Sequence, residues 1–432
     1  MASVAAPAEP RPRPSLRDLN SAAVWAGITT FIFFVFGALT VQISVVQQFG
    51  ISEDQQSSWI TITWLTSGLV TLPVCLYYRQ PISIGWTLPG LLYIGSLADR
   101  FTLGEVALAS AIAGLAIVAI GLAGYGSRII HLIPMPVLMA MFAASIVQYV
   151  TGMVESTVGD TLIAAPMVAA YIAGRVLANP RVPPVGLAVI AGAVAIVALG
   201  EVGSLEVHSG LPHLEVVDFA FSPEALLSVT LPMVVLVLGL GNVQSLGFMI
   251  SEGYRPPLNL VTGIIGGMTV VNAMFGGHPA AMARTGTAMV SGRDAGPFDS
   301  RYWAAFVAFV PVLGVALATG LVVALISILP PAYVLTMAGL AILAAFQDSL
   351  ERAFTGSLRF GAVVAFAVTM SSFEVEGIPS AFWALIAGIG ASFLLERQEL
   401  FRYWKQVFSA PHSPLDHVVE SMEIRRWETE TA

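Results

Sequence analysis

Charge is the scarcest property of this sequence. Only 11% of its 432 residues are Asp, Glu, Lys or Arg, against 56% hydrophobic, and the mean hydropathy is +0.81. Soluble domains carry roughly 25% charged residues, so a water-soluble protein of this length is excluded. Cysteine is nearly absent. Cys75 stands alone inside an apolar run, which excludes an internal disulfide and a cysteine-based metal site. There is no GxxxxGK[ST] phosphate loop and no HExxH or Cys/His cluster, so motif chemistry supports neither an ATP-driven pump nor a metal enzyme. A TVGYG-like filter and an arginine ladder are also missing, which argues against an ion channel. No nucleophile–base pair is visible, so an enzyme is the least supported class. No cofactor and no nucleic-acid partner are expected.

What remains is a succession of apolar runs. They fall near 22–46, 55–78, 83–97, 103–124, 129–150, 161–177, 185–200, 226–249, 257–274, 278–291, 302–326, 332–350, 357–373 and 378–395. A helix needs about 20 apolar residues to span a bilayer, and the third and tenth runs are too short. The expected fold class is an all-α polytopic membrane protein with fourteen transmembrane segments.

Charge placement tests that count. The odd-numbered connections hold Glu53, Asp54, Asp99, Glu105, Glu155, Asp160, Glu201, Glu224, Glu374 and Glu376, with Arg100 the one cation. The even-numbered ones hold Arg79, Arg128, Arg175, Arg181, Arg255, Arg293, Arg301, Arg352 and Arg359. Arginine concentrates on the cytoplasmic side of membrane proteins, so both termini are expected inside. Residues 1–20, with Arg11, Arg13 and Arg17, read as a disordered cytoplasmic tail without signal-peptide features. Residues 397–432 read as a cytoplasmic tail with interfacial Tyr403 and Trp404.

The longest connection, 201–224, is expected outside and divides the runs into seven and seven. An odd number per half inverts one half against the other. The short runs then occupy corresponding places, third and tenth. Paired Pro/Gly-interrupted segments in inverted halves point to a transporter's binding site.

The first break reads Arg79-Gln-Pro-Ile-Ser-Ile-Gly-Trp-Thr-Leu-Pro-Gly90. An extended piece to Trp86 and a helix capped by Thr87 are expected. The second reads Met274-Phe-Gly-Gly-His-Pro-Ala. Here Gly276 and Gly277 end an extended piece, His278 falls at the cap and Pro279 opens a helix. Two helix N-termini at one depth favour a bound anion. Ordinary proline kinks are the alternative for each break alone. His278 is either a neutral cap or a substrate ligand and proton carrier, since imidazole titrates near 6.5. Arg284 either snorkels or pairs with a carboxylate such as Glu252, or it contacts the anion. Gln42, Asn242 and Gln244 are buried amides that either fix packing or read a ligand. Trp86 and Phe275 are either core or an aromatic wall.

Four of these stretches resemble one family. Pro81-Ile82…Trp86-Thr87…Pro89-Gly90, Gly253-Tyr254-Arg255-Pro256-Pro257, Phe275-Gly276-Gly277-His278 and Gly377-Ile378…Ser380-Ala381-Phe382-Trp383 are similar to the benzoate membrane transporter (BenE) family. The resemblance runs from about Leu19 to Leu395. It implies the seven-plus-seven fold shared with uracil/xanthine permeases and sulfate transporters. A core domain (21–126 and 225–327) would then pair with a gate domain (127–200 and 328–396). It further implies import of a small aromatic carboxylate with a proton across a bacterial inner membrane. Thr87, Gly277 and His278 would hold the carboxylate, Trp86 and Phe275 flank the ring, and Gln42, Asn242 and Gln244 add polar contacts. The implied partners are the anion, the proton, the lipid bilayer and, by analogy, a second copy in a homodimer.

Overall fold

The computed structural model describes residues 14–409 apart from 125–133, 178–183, 202–211, 213, 322–327, 372 and 377. The expectations for Arg128, His131, Arg181, Gly377, much of the 201–224 connection and the chain beyond 409 lie outside the described residues.

Each of the fourteen apolar runs contains a helix. In chain order these are α1 (Ser21–Gln48), α2 (Glu53–Tyr78), α3 (Leu88–Gly95), α4 (Leu103–Ala123), α5 (Met135–Gly159), α6 (Thr161–Leu177), α7 (Pro184–Leu199) and α8 (223–251). They continue as α9 (Leu258–Met274), α10 (Arg284–Ser291), α11 (Tyr302–Leu317), α12 (Pro331–Phe354), α13 (Arg359–Met370) and α14 (Ser380–Leu395). α1, α2, α4, α5, α12 and α11 with the turn before it are long and apolar enough to cross a membrane. The protein is thus an all-helical membrane protein with several apolar spans. α3 and α10 have eight residues each and are too short to do so.

Local chemistry sets the ends. α2 and α4 open with capping boxes, Ser52 with Gln55 and Thr102 with Glu105. α5 differs from expectation. Pro136 in its first turn suits a helix start, so the helix begins later than residue 129. It continues to Gly159, placing Glu155 on the helix rather than in a connection. α1 and α8 both contain π-helical turns, at Phe34–Leu39 and at Leu226–Thr230 and Leu236–Val243. Such turns recur at functional sites because they unwind the regular ladder.

The helices pack in two groups. In one, α1 and α2 lie against α11, and α4 lies against α9. The α4–α9 contact is made by glycines: a Cβ on Gly114 would come within 2.8 Å of the Gly266 carbonyl oxygen. Small residues let backbones approach where lipid offers no hydrophobic drive. In the other group α5 packs on α12 and α13, α13 on α14, and α6 on α7. α12 touches α1, and α3 touches α5, where the groups meet.

Part of the expected N-terminal tail is ordered. Asp18 Oδ2 pairs with Arg79 at 2.7 Å and accepts the Tyr302 hydroxyl at 2.8 Å. The Trp303 indole donates to the Ser15 carbonyl at 3.0 Å. At the other end, Arg397–Ser409 forms α15, turned 107° from α14.

Candidate binding site

The two breaks are held together as a two-stranded sheet. Ile84–Trp86 forms β1 and Ala280–Met282 forms β2. They pair antiparallel, with Ile84 opposite Met282, Gly85 opposite Ala281 and Trp86 opposite Ala280. The Thr87 N–H donates to the Pro279 carbonyl and the Ala283 N–H to the Ser83 carbonyl, each at 3.0 Å. Threonines and an amide from flanking helices complete the pairing. Thr71 Oγ1 accepts the Ile84 N–H at 2.9 Å, Thr269 Oγ1 accepts the Ala280 N–H at 3.1 Å, and Asn242 Oδ1 accepts the Met282 N–H at 3.1 Å. Both strands are fully buried. Non-helical backbone is tolerated at membrane depth only when protein surrounds it.

One half-helix starts where the sequence placed it. Thr87 Oγ1 accepts the Gly90 N–H at 3.1 Å, with Pro89 in the first turn. The other does not. α9 ends at Met274, and Gly276 turns the chain at φ +78, a conformation glycine adopts without steric cost. Pro279 to Ala283 then runs extended, and α10 opens at Arg284 with Ala283 as its cap. His278 is therefore not a helix cap. Pairing with β1 satisfies the backbone that a helix at Pro279 would otherwise have satisfied.

α3 and α10 leave the sheet at opposite ends. Thr87 lies level with Pro279, and Ala283 with Ser83. That is four residue steps, roughly 13 Å at ~3.3 Å per residue. Both N-termini open onto one cavity of about 90 Å³. A single water needs about 10–15 Å³ on this measure, so the space suits a small organic ion. Gly85 forms part of its wall, with Phe34 and Ala38 from the π turn of α1 and Gly241 from that of α8. Phe142 of α5 and Ala345, Asp348 and Ser349 of α12 close the other side. Both helix groups therefore contribute to the cavity.

Arg284 reaches across it. Its guanidinium meets Asp348 Oδ2 at 2.8 Å, and Arg352 Nε meets Oδ1 of the same carboxylate at 2.9 Å. Glu252, the partner considered from sequence, pairs instead with Arg301 at 3.0 Å. Asp348 is the residue that sequence reasoning missed. It sits near the end of a run, where acidic residues are unremarkable. The available signal was Arg352 four residues later, on the same helix face.

Of the expected site residues, Trp86, Thr87 and Arg284 line the cavity. Trp86 packs on Trp64 with ring centroids 4.6 Å apart and on Phe34 at 5.5 Å. Gln42 lies behind this stack: it accepts the Trp64 indole N–H and donates to Thr63 Oγ1, each at 2.8 Å. Asn242 holds β2. His278 is buried outside the cavity wall, where its Nδ1 accepts the Trp59 indole N–H at 2.9 Å. Gly277 packs so tightly that a Cβ would lie 2.6 Å from Ile62. Phe275 sits half-buried in the turn after α9, its carbonyl accepting from Ser58. The Gln244 side chain lies outside the described residues.

The sequence matches the model of the benzoate membrane transport protein family, BenE, over residues 17–394. The chain belongs to the BenE family. It is 30% identical over 343 residues to the inner membrane protein YdcO of Escherichia coli, covering 78% of this chain and 87% of that one. It is 24% identical over 382 residues to the benzoate membrane transport protein of Acinetobacter baylyi, covering 88% and 96%. The fold is similar to the transmembrane domain of the cyanobacterial bicarbonate transporter BicA. The TM-score is 0.57 at 17% identity, with 88% of this chain and 99% of that chain covered. The BenE chain is accordingly a membrane transporter. Its matched region contains both strands, both half-helices and every residue named at the cavity.

Proposed function

We propose that this protein is a secondary transporter importing a small aromatic carboxylate, benzoate or a close analogue, with a proton. The observation that carries this is one cavity bounded by two helix N-termini, an arginine and an aromatic pair. Backbone N–H groups at a helix start favour an anion, and a charged hydrogen bond to Arg284 adds about 1.5–3 kcal/mol. The carboxylate sits at the first turn of α10 beside Arg284. The ring lies over Gly85, where a side chain would take its space, and meets Trp86 and Phe34 in tilted contact. The family membership and the benzoate-transporting relative of Acinetobacter baylyi support that substrate class.

In this reading the group containing α1–α4 and α8–α11 is a core that carries the site. The group containing α5–α7 and α12–α14 is a gate against which it rocks, exposing the cavity alternately to each face of a bacterial inner membrane. One monoanion with one proton moves no net charge, so a pH gradient drives uptake and a membrane potential does not.

Purified protein in proteoliposomes tests this with labelled benzoate. An acid-outside gradient should give uptake above equilibrium, and excess unlabelled benzoate should compete where uracil, xanthine, sulfate and bicarbonate do not. Equal competition by sulfate, or potential-driven accumulation without a pH gradient, would overturn the scheme.

A further inference from the structure

The carboxylate facing Arg284 in the cavity belongs to the protein itself. Asp348 lies on α12, which packs with α5 and α13, whereas Arg284 opens α10, which packs with α1, α8 and α11. The 2.8 Å ion pair is therefore a bond between the two helix groups, made inside the space proposed for the substrate. A bound aromatic carboxylate and Asp348 compete for the same guanidinium. Two carboxylates around one arginine repel each other, and a proton on either relieves the repulsion.

We infer that Asp348 is the proton-carrying residue of transport, and that its protonation releases Arg284 to the substrate and unfastens the two helix groups. This rests on the carboxylate reading of the site. Proton and substrate then bind with positive coupling, since each makes room for the other. The charged groups acting on Asp348 are Arg284 from α10 and Arg352 from its own helix. Arg352 lies outside the cavity wall and holds the carboxylate oxygen that Arg284 does not. It keeps Asp348 in place when Arg284 turns to the substrate. His278 does not share this role by contact, because it is buried against Trp59 and does not line the cavity.

The test measures benzoate binding to the purified full chain between about pH 6 and about pH 8, well above the carboxyl range near ~4. Wild-type affinity should rise as pH falls, approaching tenfold per unit for one linked proton. Asp348→Asn keeps one acceptor oxygen, enough for one of the two arginines, and holds no titratable proton. It should bind with pH-independent affinity and lose accumulation driven by acid outside. Asp348→Glu should keep the pH dependence and the accumulation. Arg352→Gln should move the midpoint to higher pH, because removing a cation eases protonation of Asp348. A folded Asp348→Asn protein with the wild-type pH dependence and proton-driven accumulation would overturn the inference. So would loss of the pH dependence in Asp348→Glu. Wild-type protein that binds no aromatic carboxylate at any pH would instead remove the functional reading itself.

Discussion

Gln42 accepts the indole N–H of Trp64 at 2.8 Å, and through that bond it acts on the cavity without touching it. Trp64 is the surface on which Trp86 rests, and Trp86 lines the cavity. Gln42→Ala leaves the buried Trp64 N–H and Thr63 hydroxyl short of a partner. An unmet buried donor costs about 1–3 kcal/mol. The expected result is a lower midpoint of thermal unfolding together with weaker benzoate binding, as Trp86 loses its backing. Unchanged affinity in the destabilised variant would separate Trp86 from the ring.

The sheet depends on side chains donated by neighbouring helices. Thr269→Val keeps the shape of the side chain and removes the acceptor for the Ala280 N–H; Thr71→Val does the same for Ile84. Each should destabilise the protein by about 1–3 kcal/mol and reduce transport, because the half-helix starts shift with the strands. The corresponding Ser variants should recover both. Denaturation midpoints and uptake rates measured on the same preparations check this.

Gly85 marks where space is needed rather than backbone freedom. A Cβ there would meet only Ala283, at an ordinary 3.4 Å. Gly85→Ala should therefore fold normally, while Gly85→Val projects methyl groups into the cavity. Uptake of benzoate should fall by more than tenfold in Gly85→Val with little change in thermal stability. Undiminished uptake would move the ring elsewhere.

His278 provides the sharpest contrast with the sequence-level expectation. Its ring accepts from Trp59 and lies outside the cavity wall. His278→Ala should lower the unfolding midpoint, since Trp59 loses its acceptor, yet keep a benzoate-induced thermal shift of near wild-type size. A folded variant without that shift would return His278 to the substrate.

Much of this architecture was legible because membrane physics leaves strong marks on a sequence. The apolar runs located α1 to α14, with the short third and tenth runs giving α3 and α10, but not α15, which lies in the polar stretch after residue 396. Thr87 was read correctly as a cap because its geometry involves only residues up to Gly90. The start of α10 was not, because Pro279 is equally at home in an extended strand. What decides between strand and helix there is β1, almost 200 residues away. The same holds for the amides. Gln42 and Asn242 were recognisable as buried polar groups needing partners, but the sequence did not show that Trp64, Thr63 and the Met282 backbone are among them.

The sequence by itself determined that the chain lives in a bilayer, that two of its apolar segments stop short, and that glycine and proline mark those stops. These follow from hydrophobicity and backbone geometry, which act over a few residues. Only the tertiary structure decided that Arg284 meets Asp348, that both half-helices open on one cavity, and that His278 stands apart from it. Such relations depend on how distant helices are stacked. The pairing of two charges 64 residues apart is fixed by that stacking, which brings two partly exposed side chains to the wall of one cavity.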